Sequence, residues 1–282
     1  MALSELNNIS IAEIAVYLPA LFVAILLSVR HGFRRSVGWT YVVVFSLVRI
    51  IGASLELATI NDPKNTSLYI GYITLQSIGL SPLILTQLGL VNRVLQSVEK
   101  ARAGWLNPNS LRIIQIIVLV GLILGAVGGS DAGSNYGKTG VYEVSTKSKA
   151  GIALMIVGYI LIVAATVITA TRLAHAEPGE KRVLLAVAIC LPFILVRIIY
   201  SAESVFGHDS RFSQFGGDPN ILLGTAVLME MIVIAIVEGF GLTFSVRPKE
   251  ELPSKTLWAH SQGRRERRRE RHAHQGYVSS NV

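Results

Sequence analysis

"VLLAVAICLPFILVRIIYSAES", residues 183–204, reads as an apolar run that would cross a bilayer, yet Arg197 lies inside it and Glu203 near its end. The closing phrase has a counterpart earlier in the chain, "LVRIIGASLE", residues 47–56, with Arg49 and Glu56. An ionised side chain at bilayer depth costs roughly 3 kcal/mol or more unless it is paired or hydrated. A chain that places arginine in hydrocarbon twice must therefore supply partners for both.

The surrounding sequence makes the bilayer reading general. The chain has 282 residues, of which 51% are hydrophobic and 16% charged, with a mean hydropathy of +0.51. The apolar residues come in blocks, not in the one-sided period of a soluble helix. Blocks of about 20 residues match the thickness of the hydrocarbon core. Seven are predicted, at 11–29, 37–58, 68–91, 111–129, 150–171, 183–202 and 221–246. The expected fold is all-α, a polytopic bundle of seven transmembrane helices over residues 1–246, followed by a disordered basic tail, 247–282. Glu5 and Glu13 flank the first block where a cleavable signal would carry basic residues. The single cysteine, Cys190, has no partner for an internal disulfide.

Lys and Arg set the orientation, because they collect on the cytosolic side. The loops after blocks one, three and five, together with the tail, hold 19 of them. The opposite loops hold 5: Lys64, Lys138, Lys147, Lys149 and Arg211. The N-terminus is thus expected outside or lumenal and the C-terminus in the cytosol. Two glycosylation acceptor motifs, at Asn8 and Asn65, fall on the same outer side. The net charge of +8 is concentrated in "RRERRRER", residues 264–271. That run reads as a solvated topology determinant able to meet anionic headgroups, and no nucleic-acid partner is expected.

The repeated phrase has one orientation in blocks two and six. This predicts a parallel 3+1+3 repeat, with blocks 1–3 and 5–7 as units joined by block four. Arg49 and Arg197 fall near mid-membrane, and Glu56 and Glu203 near the outer ends. Arg49 and Glu56 are seven residues apart and share a helix face, whereas Arg197 aligns with Tyr200. Block seven adds Glu230 at mid-depth and Glu238 nearer the cytosol. All six ionisable groups are expected to face the interior, with one glutamate for each arginine and two acids left over. A carboxylic acid without a basic partner there keeps its proton and can donate it. Gln76 and Gln87, eleven residues apart on block three, are expected on the same inner face. A hydrogen-bonded network without chemistry is the alternative use of the same groups.

The absent motifs narrow the classes. No acidic metal cluster is visible, "NDPKN" at 61–65 included, so neither a metal nor another cofactor is expected. Glycine-rich "GLILGAVGGSDAGSNYG", residues 121–137, lacks the Lys-Ser/Thr of a phosphate loop and is read as the end of block four running into a flexible outer loop. Asn92-Arg93-Val94 faintly resembles a G-protein-coupled receptor motif, but block seven has no Asn-Pro-x-x-Tyr.

The layout resembles fungal seven-span integral membrane proteins. Arg197, Tyr200 and Glu203 match the spacing of the sixth-span pattern of the fungal lipid-translocating exporter family, with Ser201 where that family usually has a second arginine. The chain is also similar to the small membrane-bound terpene cyclases of fungal meroterpenoid pathways. The cyclase resemblance implies metal-independent, protonation-initiated cyclisation of a prenylated substrate in secondary metabolism, with other pathway enzymes in the same membrane. The arginine cluster at 264–271 resembles retrieval signals of the endoplasmic reticulum, which is expected in preference to the plasma membrane. On the cyclase reading Glu230 is the first candidate donor, then Glu56, Glu203 and Glu238. Arg49, Arg197, Tyr200, Gln76 and Gln87 bind substrate or tune the acids. The alternatives are a translocator or exporter of lipids or small molecules and, third, a seven-span receptor. In each case membrane lipids surround the bundle.

The charge asymmetry makes the orientation testable. A reporter fused after Val282 should be cytosolic and one inserted at Asn65 lumenal or extracellular, read by protease protection. A protected C-terminal reporter would reverse the orientation.

Overall fold

The computed structural model describes residues 4–32, 37–63, 65–101, 108–139, 143–173, 179–207, 209–213 and 216–244. The basic tail, 247–282, lies outside the described residues, as do Arg34, Arg35 and Lys64. The elements are α1 (Glu5–His31), α2 (Val37–Ala58), α3 (Thr66–Ile78), α4 (Leu80–Ala101), α5 (Pro108–Thr139), α6 (Thr146–Ala170), α7 (Glu180–Phe206), a 3₁₀ turn (Ser210–Phe212), α8 (Pro219–Leu222) and α9 (Leu228–Thr243). A π-helical turn, Leu223–Val227, joins α8 to α9. No strand occurs among the described residues. Seven helices are long and apolar enough to cross a membrane, α3 with α4 and α8 with α9 each counting as one. The protein is an all-α, seven-helix membrane protein.

Local chemistry starts and stops these helices. Ser4, Asn65, Ser145 and Asp218 cap α1, α3, α6 and α8, each accepting from a backbone N–H of the first turn. Gly32, at φ 82°, ends α1 after Arg30 and His31, which suit the negative end of the helix dipole. The N-cap of α7, Gly179, also has a positive φ, which a side chain would strain.

The burial pattern is that of a protein solvated by lipid. Phe22, Leu26, Val29, Ile113, Ile116, Ile160 and Ile199 are exposed, whereas Arg49, Arg197 and Glu230 are buried. In hydrocarbon, apolar side chains cost nothing on the outer surface, and polar groups must find partners within the bundle.

Helix neighbours form a closed ring: α1, α2, α3, α5, α6, α7, α9 and back to α1. Helix α4 packs within it against α2, α5, α6 and α7, and the third span is the most buried of the seven. Its two halves therefore differ in place: α3 is a member of the ring and α4 lies inside it. The change falls at Gly79–Pro82. Pro82 lacks the N–H that would bond Ile78, and the Ser81 hydroxyl donates to that carbonyl instead, at 2.8 Å.

The glycine-rich segment corrects one expectation. Residues 121–137 continue α5 as helix to Thr139 and do not enter a loop. A Cβ on Gly151 of α6 would stand 2.8 Å from the Gly125 nitrogen and 2.9 Å from the Gly121 carbonyl oxygen. One on Gly133 would stand 2.8 Å from Ile70 Cα of α3. The glycines are packing surfaces that let α5 approach α3 and α6 closely, as small residues do between membrane helices.

Candidate polar site in the bundle interior

The two arginines converge on one acid. Glu230, on the first turn of α9, is fully buried, and its Oε1 accepts from Arg197 Nε at 2.6 Å and from Arg49 Nη2. Arg49 Nη1 donates to Gln76 Oε1 of α3, and Arg197 Nη1 donates to Ser201, one turn along α7. Each guanidinium also lies over a ring: Arg49 Cζ is 5.6 Å from the Phe45 centroid, and Arg197 Cζ is 5.6 Å from that of Tyr200.

A second acid, unassigned from sequence, completes the cluster. Glu13 of α1 is buried, and its Oε1 lies 3.8 Å from Arg49 Nη1, beyond hydrogen-bond distance. Glu13 belongs to a buried stripe with Asn7, Ser10, Tyr17, Ala20, Ala24, Leu27 and His31, the 3–4 spacing of one helix face. That periodicity is its signal in the sequence. Tyr17 packs edge-on against Phe45 at 5.4 Å between centroids. Several buried polar atoms of the cluster have no hydrogen-bond partner: Glu13 Oε1, Tyr17 Oη, Arg49 Nε and Glu230 Oε2.

Backbone irregularities surround the site. A Cβ on Gly79 would stand 2.8 Å from Arg49 Cζ, so the glycine at the bend between α3 and α4 makes room for the guanidinium. The π-helical turn ends at Val227, three residues before Glu230. Such turns cost hydrogen-bond geometry and recur at functional sites.

The other expected residues are dispersed. Glu56 is buried but does not meet Arg49: it faces α1, where Asn7, with its amide oriented to bond, donates to Oε1 at 2.8 Å, and Glu56 Oε2 has no hydrogen-bond partner among the described residues. Glu203 is exposed, so the six-residue spacing from Arg197 carries it off the inner face. Glu238 is buried with its Oε1 unpartnered, two turns along α9 from Glu230. Gln87 is buried beside Cys190 and is not among the groups that bond the arginines. The bend at Gly79 separates it from Gln76. The one-arginine-to-one-glutamate pairing is thus corrected to two arginines on one glutamate. Of the expected acceptor sites for sugar, Asn8 is exposed within the first turns of α1, and Asn65 is the α3 cap. No group of three or more metal-ligating side chains occurs among the described residues.

Charge counting explains why these groups stay together. Two guanidiniums and one carboxylate leave one surplus positive charge, which Glu13 is placed to offset. Guanidinium groups only donate, so Glu230 serves here as acceptor and counter-ion. Removing one partner of a buried ion pair costs roughly 3–5 kcal/mol, because the other is left uncompensated.

Residues 3–247 match the model of a family described as a domain of unknown function, DUF7702, and the chain belongs to that family. No curated protein and no solved structure matches the chain.

The shared carboxylate predicts an order of damage. Glu230→Ala should destabilise the detergent-solubilised protein more than Arg49→Ala or Arg197→Ala, since it strands two cations where each arginine variant strands part of one anion. Arg197→Lys should recover only part of the loss, because lysine lacks the planar fork. Thermal unfolding followed by size-exclusion chromatography gives the ranking. Equal stability of Glu230→Ala and wild type would remove the shared-carboxylate account.

Proposed function

We propose that this DUF7702 protein is a membrane-bound cyclase that isomerises a prenylated, lipophilic substrate by protonation, with Glu13 as the proton donor. The observation that carries the reading is the Glu13 carboxyl oxygen, buried, without a hydrogen-bond donor, and 3.8 Å from a guanidinium already committed to another acid. Glu230 was the first candidate donor on sequence grounds, but two guanidinium donors on one of its oxygens suit it to the role of counter-ion.

In the proposed reaction a proton passes from Glu13 to an olefin or epoxide of the prenyl chain. The carboxylate left behind faces Arg49, and the cluster of two guanidiniums and two carboxylates becomes neutral. Ring closure moves the positive charge along the substrate, where the faces of aromatic residues such as Tyr17 stabilise it. Loss of a proton from the cyclised cation to the Glu13 carboxylate ends the sequence and restores the acid. Proton gain and loss balance, so substrate and product are isomers. The endoplasmic reticulum is the proposed membrane, with the enzymes that supply and consume such isoprenoids in the same bilayer.

A translocator of lipids or small molecules is the second reading, supported by a different observation. Spans three and seven both depart from regular α-helix beside the cluster, at Gly79–Pro82 and Leu223–Val227. Transporters place polar midplane sites beside helices that break regular geometry, of which unwound segments are the extreme form.

Microsomes containing this protein alone, given farnesylated aromatics and their epoxides, separate the two. The wild type should form cyclised isomers detectable by mass spectrometry. Glu13→Gln should remain inserted and monodisperse while turnover falls by about 10²-fold or more. Full activity of Glu13→Gln would move the donor elsewhere. No cyclised product across the panel, with labelled lipid crossing between leaflets, would replace the cyclase by the translocator.

A further inference from the structure

Away from the charged cluster, a partly open cavity of about 250 Å³ lies between α2, α4 and α5, at the bundle end that carries Arg93 and Arg112. Its polar lining is Tyr41, Asn92, Gln96, Arg112 and Gln115, and no acidic side chain lines it. Leu88 and Leu111, both buried, form part of its apolar wall.

The hydrogen bonds within this lining leave donors to spare. Gln115 Nε2 donates to Tyr41 Oη at 2.9 Å, which occupies a lone pair of the phenol and leaves its O–H free to donate. Gln96 Nε2 points to Asn92 Oδ1 at 3.5 Å, and the Asn92 amide N–H groups have no partner among the described residues. Arg112 is exposed and has no ion pair or hydrogen bond among the described residues. A guanidinium, a phenol and an amide thus converge as donors, with apolar wall beside them. That arrangement suits a compact anion with several acceptor oxygens attached to an apolar body. The positive-inside expectation puts this end at the cytosolic leaflet, where basic pockets between helices hold anionic headgroups.

We propose that this pocket is a binding site for a phosphate group, carried by a lipid headgroup or by a soluble phosphate ester, with Arg112 and Tyr41 as its principal donors. The site is distinct from the interior cluster and does not depend on the cyclase reading.

The test uses the full chain in nanodiscs of phosphatidylcholine with or without phosphatidate, released for native mass spectrometry. Wild type should retain phosphatidate in preference to phosphatidylcholine. Arg112→Gln should lower its occupancy about tenfold, the scale of one charge-assisted hydrogen bond. Tyr41→Phe, which removes only the hydroxyl, should lower it severalfold. Arg182→Gln, a basic residue on the groove beside α9, should change nothing. Retention that resists excess inorganic phosphate identifies a lipid-borne group. Displacement by inorganic phosphate, with the same Arg112 and Tyr41 dependence, identifies a soluble ester. Retention without headgroup preference, or equal loss in Arg112→Gln and Arg182→Gln, would overturn the proposal.

Discussion

Two guanidiniums on one carboxylate constrain this bundle more than any other contact described. Arg49, Arg197 and Glu230 come from α2, α7 and α9, and the hydrogen bond to Gln76 and the proximity of Glu13 draw in α3 and α1. Hydrocarbon supplies no competing partner, so each charge is stable only where the others hold it. Apolar packing between membrane helices is a weak guide to register, because lipid tails solvate leucine as well as another helix does. A charge cluster of defined geometry supplies that guide.

The backbone accommodates the cluster in two places. At Gly79 the third span loses its side chain next to Arg49, and at Pro82 it loses a backbone donor. The span then passes from the ring of helices to its interior, so α4 and the charged side chains occupy the interior in turn along its length. In the seventh span a π-helical turn precedes Glu230 and resets the direction of that side chain relative to α8. Both irregularities cost regular hydrogen bonding, and both stand where a carboxylate and two guanidiniums must meet.

Much of this was legible in the sequence, for physical reasons that differ by feature. The seven spans follow from run length, which the bilayer imposes directly. The burial of Arg49, Arg197, Glu56, Glu230 and Glu238 follows from the cost of charge in lipid. Partner choice did not follow, because Arg49 and Glu230 are separated by 181 positions and only tertiary packing joins them. Glu203 was expected inside the bundle through its likeness to Glu56, but one residue of displacement turns it outward. Glu13 lies within the predicted span 11–29 yet reads as a flank of its apolar run, because only the 3–4 periodicity of the helix, which starts at Glu5, shows it on the buried stripe that ends at His31. The glycines at 121–137 looked like loop because glycine is a poor helix former, yet close approach of α3 and α6 favours it.

Solid-state NMR in bilayers tests the central claim most directly. With glutamate carboxyl carbons enriched in ¹³C and arginine guanidinium nitrogens in ¹⁵N, dipolar recoupling identifies which carboxyls lie against which guanidiniums. The account predicts a Glu230 carboxyl dephased by two arginines, half of whose dephasing vanishes in Arg49→Lys and the other half in Arg197→Lys. Dephasing of Glu56 by Arg49 and of Glu203 by Arg197, with Glu230 unaffected, would contradict it.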